Sequence, residues 1–251
     1  MEYLSHSWIS IHILHLHFLM RISNFFRIFP NMSAIYCEQK IDELRRLYDS
    51  FHKQIEQRMA EFRKVWETQD EERIFSELIF CLLTPQSRAQ LCWSAVERMR
   101  NKNILLCDNY SDIIKCLDKV RFKYTKAQRI CEVISRFGKD SKCSIVDILN
   151  RLNNPAEIRE WLVENIKGLG YKEASHFLRN IGLGQNFAIL DRHIMRNLMD
   201  LSIIEKIPQH ISKRRYMEYE NKMREFATFI GIPISHLDML FWAKQTGVIF
   251  K

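Results

Sequence analysis

The sequence predicts an all-α protein, and three observations lead there. Only 7 glycines and 5 prolines occur in 251 residues, too few for the corners of a many-stranded sandwich or barrel. Apolar residues recur at helical spacing from residue 38 onward, and no alternating strand of useful length appears. The 47% apolar fraction gives ample material for a core, in one large or two small globular units, and excludes disorder and collagen-like repetition.

The elements follow in order. Residues 9–20 form an apolar run broken by His12, His15 and His17, too short and too polar to span a bilayer. Glu2 precedes that run and Arg21 follows it, the reverse of a signal peptide, so residues 1–31 read as an extension outside the fold, with Met32 as an alternative start. A metal site at the histidines lacks any sign of a scaffold to hold the ligands. Residues 38–66 are charged with apolar positions at helical spacing, whereas 74–83 are apolar almost all round, as in a helix buried on every side. Thr84-Pro85 stops that helix. Helical patterns resume over 87–99, around Ile113, Ile114, Leu117 and Val120, and over 126–137, the last ended by Gly138. Ser144 with Asp147 opens a further helix, and Asn154-Pro155 reads as an N-cap with proline at the first helical position. Residues 192–201, 216–230 and 233–245 give the last helices.

The net charge of +8 suits a polyanionic partner, but no basic tail dominates, so an anion site must be built by folding. The seven cysteines (37, 81, 92, 107, 116, 131 and 143) are odd in number and form no CxxC pair, which predicts free thiols in a reducing cytosol. None follows Cys143, so a four-cysteine cluster near the C-terminal end is excluded.

Four of the seven glycines, Gly168, Gly170, Gly182 and Gly184, fall within 17 residues. The segment around the first pair reads as a helix ending at Ile166, a Gly-Leu-Gly turn, and a second helix with Ala174, Phe177, Leu178 and Ile181 on its inner face: a helix–hairpin–helix. Such a turn permits close backbone approach, and the unpaired N–H groups of the second helix can receive a DNA phosphate. An ordinary tight αα-hairpin fits the glycines equally well. A dinucleotide-binding loop does not, because no strand precedes the turn and Glu173 stands where the third glycine belongs.

Lys172 lies in the first turn of the second helix, where the macrodipole disfavours a cation. The same field, with partial burial, favours the neutral amine that a nucleophile needs. Asp191, after the apolar stretch 187–190, reads as the N-cap of the next helix. Taken alone, each residue fits a solvated lysine or a simple cap at least as well.

Together they carry a resemblance. Gly168-Leu-Gly-Tyr-Lys172-Glu-Ala, followed 19 residues after the lysine by Asp191 in Leu-Asp-Arg-His193-Ile, resembles the helix–hairpin–helix/Gly-Pro-Asp superfamily of DNA glycosylases. The run from Lys172 to Gly182 and the stretch 188–194 are similar to the second, archaeal-type class of 8-oxoguanine DNA glycosylase/AP lyases, found in archaea and some bacteria. The resemblance covers roughly residues 38–251, the final lysine included. Lys167 stands where the superfamily hairpin carries proline, and the four cysteines of the endonuclease III branch are missing, which argues against that branch.

The resemblance implies two helical lobes, one of about 32–75 plus 192–251 and one of about 76–191, with the active site in the cleft between them. It implies that Lys172 attacks C1′ of the damaged nucleoside and forms a Schiff base from which β-elimination cuts the strand, while Asp191 supports the charge developing on the sugar. Gln86 would fill the space left by the extruded nucleotide. Phe122 and Trp242 are the candidates to sandwich the base, and Lys251 to distinguish 8-oxoguanine from guanine. Gly168 and Gly170 would meet DNA phosphate, with a monovalent cation at the carbonyls of Ile166, Gly168 and Gly170, and no organic or redox cofactor. The expected partner is double-stranded DNA carrying 8-oxoguanine or abasic sites, acted on by a cytoplasmic, nucleoid-associated monomer without a membrane. A glycosylase/lyase for another oxidised base, or a non-catalytic DNA-binding hairpin, are the alternatives.

Overall fold

The computed structural model describes residues 38–106, 109–138 and 144–251. The extension at 1–31 with its histidines, and Cys37, Cys107 and Cys143, lie outside the described residues. Cys81, Cys92 and Cys116 are free thiols.

Among the described residues there are eleven helices and no strand. They are α1 (Glu38–Glu67), α2 (Glu71–Leu83), α3 (Ala89–Asn101), α4 (Tyr110–Cys116), α5 (Lys123–Phe137), α6 (Ile145–Asn150), α7 (Pro155–Asn165), α8 (Tyr171–Asn180), α9 (Arg192–Asp200), α10 (Lys213–Ile230) and α11 (Ile234–Thr246). Caps set most of the boundaries. Asn154 accepts from the Ala156 and Glu157 N–H groups at the start of α7, with Pro155 in its first turn. Helices α2 and α10 begin three residues before the apolar periodicity does, because Asp70 and Ser212 cap polar first turns. Helix α3 begins two residues later than expected, because Gln86 adopts φ 54° and keeps residues 85–87 in a turn. Helix α4 stops at Cys116, and Leu117 and Val120 are buried beyond its end.

Two apolar clusters organise the helices. The first gathers Val65 and α2 to α8, with Phe75, Phe80, Ile130 and Phe177 at its centre. The second takes the rest of α1 together with α9, α10 and α11, around Phe62, Tyr216, Phe226 and Phe241. Ile74 and Phe75 pack in the first cluster, so α2 belongs wholly to it and is not divided near residue 75.

Two of the contacts between the clusters show how they are joined. At Gly182, φ is +82° and a Cβ would lie 2.5 Å from Arg63 Cα, so the turn after α8 meets α1 backbone to backbone, and only glycine fits. Behind α8, Arg159 grips Glu220 through Nη1–Oε1 at 2.8 Å and Nη2–Oε2 at 3.1 Å. Glu220 also accepts from the Ala188 N–H, Arg159 donates to Ser175 Oγ, and the Tyr216 hydroxyl donates to the Ala188 carbonyl. Such a buried pair is tolerable because these neighbours meet most of its hydrogen-bonding capacity, Arg159 Nε excepted.

Candidate active site

The hairpin forms as the glycines imply. Helix α7 ends at Asn165, Gly168 takes φ +100°, and α8 starts at Tyr171. A Cβ on Gly168 would meet the flexible end of the Arg129 side chain at 2.6 Å, which can yield, so it is the backbone conformation that calls for glycine. Glu173 reaches back to the Gly170 N–H at 3.3 Å, satisfying one donor at the start of α8. The carbonyls of Ile166 and Gly170 accept from Leu169 and Ala174 N–H, which leaves each oxygen a second lone pair.

Lys172 and Asp191 open into one cleft of about 1170 Å³, large enough for a nucleotide. The Lys172 ammonium lies 3.4 Å from Thr84 Oγ1 and 3.7 Å from Glu173. Asp191 caps α9 as expected: its Oδ1 accepts from both His193 and Ile194 N–H at 2.8 Å, so the cap does not consume Oδ2. An amine and a carboxylate thus share one cavity, each fixed at the start of a helix.

The lip of the cleft is held by a lysine that sequence reasoning passed over. Lys126, almost fully buried on α5, donates to the Leu83 carbonyl at 2.6 Å, the Pro85 carbonyl at 2.8 Å and Ser87 Oγ at 2.9 Å. Burial pushes its ammonium down to about 8. Ser87 Oγ also accepts from the Arg121 N–H. This one side chain therefore clamps the 84–87 turn, with Gln86 in its left-handed conformation on the cleft wall. A lysine in an apolar helical stripe was the available signal.

Trp242 lines the cleft, with the His193 ring edge-on at 5.6 Å. Phe122 does not line it. It stands outside the cleft wall, 56% exposed at the left-handed N-cap of α5, with the Arg121 guanidinium over its ring, so the structure does not bring it to Trp242 as a partner in a sandwich. Lys251 reaches the cleft, but its ammonium is already engaged. It pairs with Glu77 and sits over the Trp93 ring at 3.4 Å from the centroid, and burial lowers it to about 8. Its side chain is an anchor, and the main chain at 251 is what faces inward beside His176. Glu77 in turn accepts from Asn180 at 2.9 Å and pairs with Arg73 at 3.2 Å. A lone glutamate inside the apolar stretch 74–83 was the mark of this site.

The floor is built from α8 and α11. Arg179 grips Asp238 at 2.6 Å, and burial still raises that carboxyl to about 6. Around the mouth, Arg88, Lys119, Arg121 and Arg192 supply positive charge where phosphates would pass. Among the described residues no cluster of three or more histidine, cysteine or acidic side chains is arranged to hold a metal ion.

The 8-oxoguanine DNA glycosylase family model matches residues 55–232. An 8-oxoguanine DNA glycosylase/AP lyase of Fusobacterium nucleatum is 41% identical over 210 residues, covering 84% of this chain and 97% of the relative. One from Methanocaldococcus jannaschii is 36% identical over 214 residues, covering 85% and 98%. The crystal structure of the M. jannaschii 8-oxoguanine glycosylase/lyase with a 15mer DNA containing 8-oxoguanine superposes at a TM-score of 0.75, with 31% identity over 85% of this chain and all of that one. The Thermotoga maritima 8-oxoguanine DNA glycosylase superposes at 0.74, with 30% identity over 85% and 99%.

Proposed function

The chain belongs to the 8-oxoguanine DNA glycosylase family, a DNA-repair glycosylase and AP lyase, and on that premise we propose that Lys172 carries both of its chemical steps. The observation behind this reading is the shared cleft of Lys172 and Asp191. The amine attacks C1′ of the everted 8-oxo-2′-deoxyguanosine, the bond from C1′ to the base breaks, and the base leaves with a proton. Opening of the sugar ring gives the imine to Lys172, and loss of a C2′ proton expels the 3′ phosphate, cutting the strand. Asp191 stabilises the positive charge on the sugar as the base departs, and its capping hydrogen bonds keep the carboxylate oriented. Thr84 holds the Lys172 side chain toward the cavity.

The remaining residues serve extrusion and recognition. Gln86 enters the space the nucleotide vacates, at a cost to the duplex of a few kcal/mol that a lesion reduces. Trp242 gives the purine an apolar wall, and the main chain of Lys251 supplies the acceptor for the N7 proton that 8-oxoguanine has and guanine lacks. Gly168 and Gly170 offer their N–H groups to a phosphate. The carbonyls of Ile166, Gly168 and Gly170 are the neutral oxygen donors that an alkali cation takes, and such an ion would tie the turn to that phosphate. The work is done by a monomer in the cytoplasm, on duplex DNA of the nucleoid.

Borohydride trapping on an 8-oxoguanine duplex tests the assignment. The wild-type chain should give a covalent complex and Lys172→Gln none; undiminished trapping by the variant would reject Lys172 as the nucleophile.

A further inference from the structure

Buried polar groups are ordinarily hydrogen-bonded. Among the described residues the buried side-chain polar atoms without a partner are Arg129 Nε, Arg159 Nε, both ring nitrogens of His176, His193 Nδ1, Asp238 Oδ1 and Trp242 Nε1. All but the two arginine atoms belong to residues lining the cleft. Four neighbouring walls with unmet hydrogen-bonding capacity describe a surface shaped for a polar guest.

His176 is the most completely unmet of them. It lies one helical turn beyond Lys172 on the same face of α8, about 6 Å further along the axis. The residue is 6% exposed, and Phe80 holds its ring edge-on at 5.4 Å. Burial, with Arg179, Lys172 and Lys251 nearby, keeps the imidazole neutral. The main chain of Lys251 comes close enough to act on the ring, yet neither nitrogen makes a hydrogen bond of good geometry. A neutral imidazole carries one N–H donor and one lone pair. Arg179 pairs with Asp238 through Oδ2 and the Lys251 ammonium with Glu77, so at this depth the polar groups open to a base are the unmet Oδ1 of Asp238, an acceptor while it is ionised, and the imidazole, which can donate.

We propose that His176 is a specificity-determining residue that donates a hydrogen bond to the exocyclic oxygen flanking N7 of the everted purine, beside the main chain of Lys251. The donor and the neighbouring acceptor together match an oxopurine that bears a proton on N7. The inference rests on the reading of the site as a base-excising one and adds a contact to it. It also requires that His176 act on base removal and not on cleavage of a preformed abasic site, where no base is present.

His176→Phe keeps the ring against Phe80 and removes both nitrogens, and His176→Gln restores a donor. Single-turnover rates on an 8-oxoguanine duplex and on a duplex with a preformed abasic site separate the two activities. The Phe variant should lose about tenfold or more in base excision, the loss of one hydrogen bond to substrate, while cutting the abasic duplex within about threefold of wild type. The Gln variant should recover part of the excision. Wild-type excision by the Phe variant, or equal losses on both duplexes, would overturn the proposal, the second outcome making His176 a structural residue. Borohydride trapping of the Phe variant on the abasic duplex checks that its lysine site is intact. Failure of the unmodified chain on both substrates would instead overturn the repair reading, and this inference with it.

Discussion

The two sides of helix α8 bury polar groups in opposite ways. Toward α7 and α10, Ser175 faces Arg159, Glu220, Tyr216 and the Ala188 backbone, where charge and hydrogen bonds close on one another. One residue further along, His176 faces the cleft with both nitrogens unmet, near Asp238, Trp242 and His193, which each carry an unmet atom too. Ser175, Arg159 and Glu220 are buried on the first side and His176 and Asp238 on the second, where His193 and Trp242 are partly exposed. What separates them is the degree of saturation, since Arg159 Nε is the unmet atom on the first side while four residues carry unmet atoms on the second, and it marks one side as holding the lobes together and the other as waiting for substrate.

The saturated side should break by stability. Glu220→Ala leaves Arg159 buried and unpaired, which should cost about 3–5 kcal/mol in chemical denaturation. Replacing Arg159 and Glu220 together by apolar residues should cost much less. A small loss in the single variant would erase the distinction drawn between the two sides.

The unsaturated side should break by activity. Asp191→Asn keeps a good cap, since Asn and Asp are comparable there, so the chain should fold and bind damaged duplex. Its excision rate should nevertheless fall by about a hundredfold, the scale of one lost electrostatic contact to a transition state. Wild-type excision would remove Asp191 from the chemistry. Deleting Lys251 should lower the preference for 8-oxoguanine over guanine by about tenfold in paired excision assays, and an unchanged preference would show that the chain contributes nothing to recognition there.

The smallest effect is a pH slope. Burial holds His176 neutral, so its pKa in the folded chain lies below the unfolded value of 6.5. Below 6.5 the unfolded chain takes up a proton that the native chain refuses, so stability falls as the pH drops through that value. The limiting slope is about 1.4 kcal/mol per pH unit. Denaturation midpoints between pH 5 and 7.5 should show His176→Gln losing this share of the slope, and identical slopes would mean the imidazole is not held neutral.

Helix order, the caps at Asn154 and Asp191 and the Gly168 turn were legible in the sequence, because local chemistry decides each of them. So were Lys172 and Asp191, but only as a set: the spacing between them carries meaning that neither carries alone. Lys126, Glu77 and Asp238 were harder to read, since each sits in an otherwise apolar helical stripe and bonds to a group 43, 174 or 59 residues away, respectively. Phe122 was misplaced for a related reason. Its composition marks an aromatic near a helix start, while its exposure depends on the left-handed turn that only folding reveals.

The glycine at 182 has a mechanical consequence. Where two backbones touch with no side chain between them, even one added methyl group would have to part the end of α8 from α1, so the spacing of the two lobes rests on that missing atom.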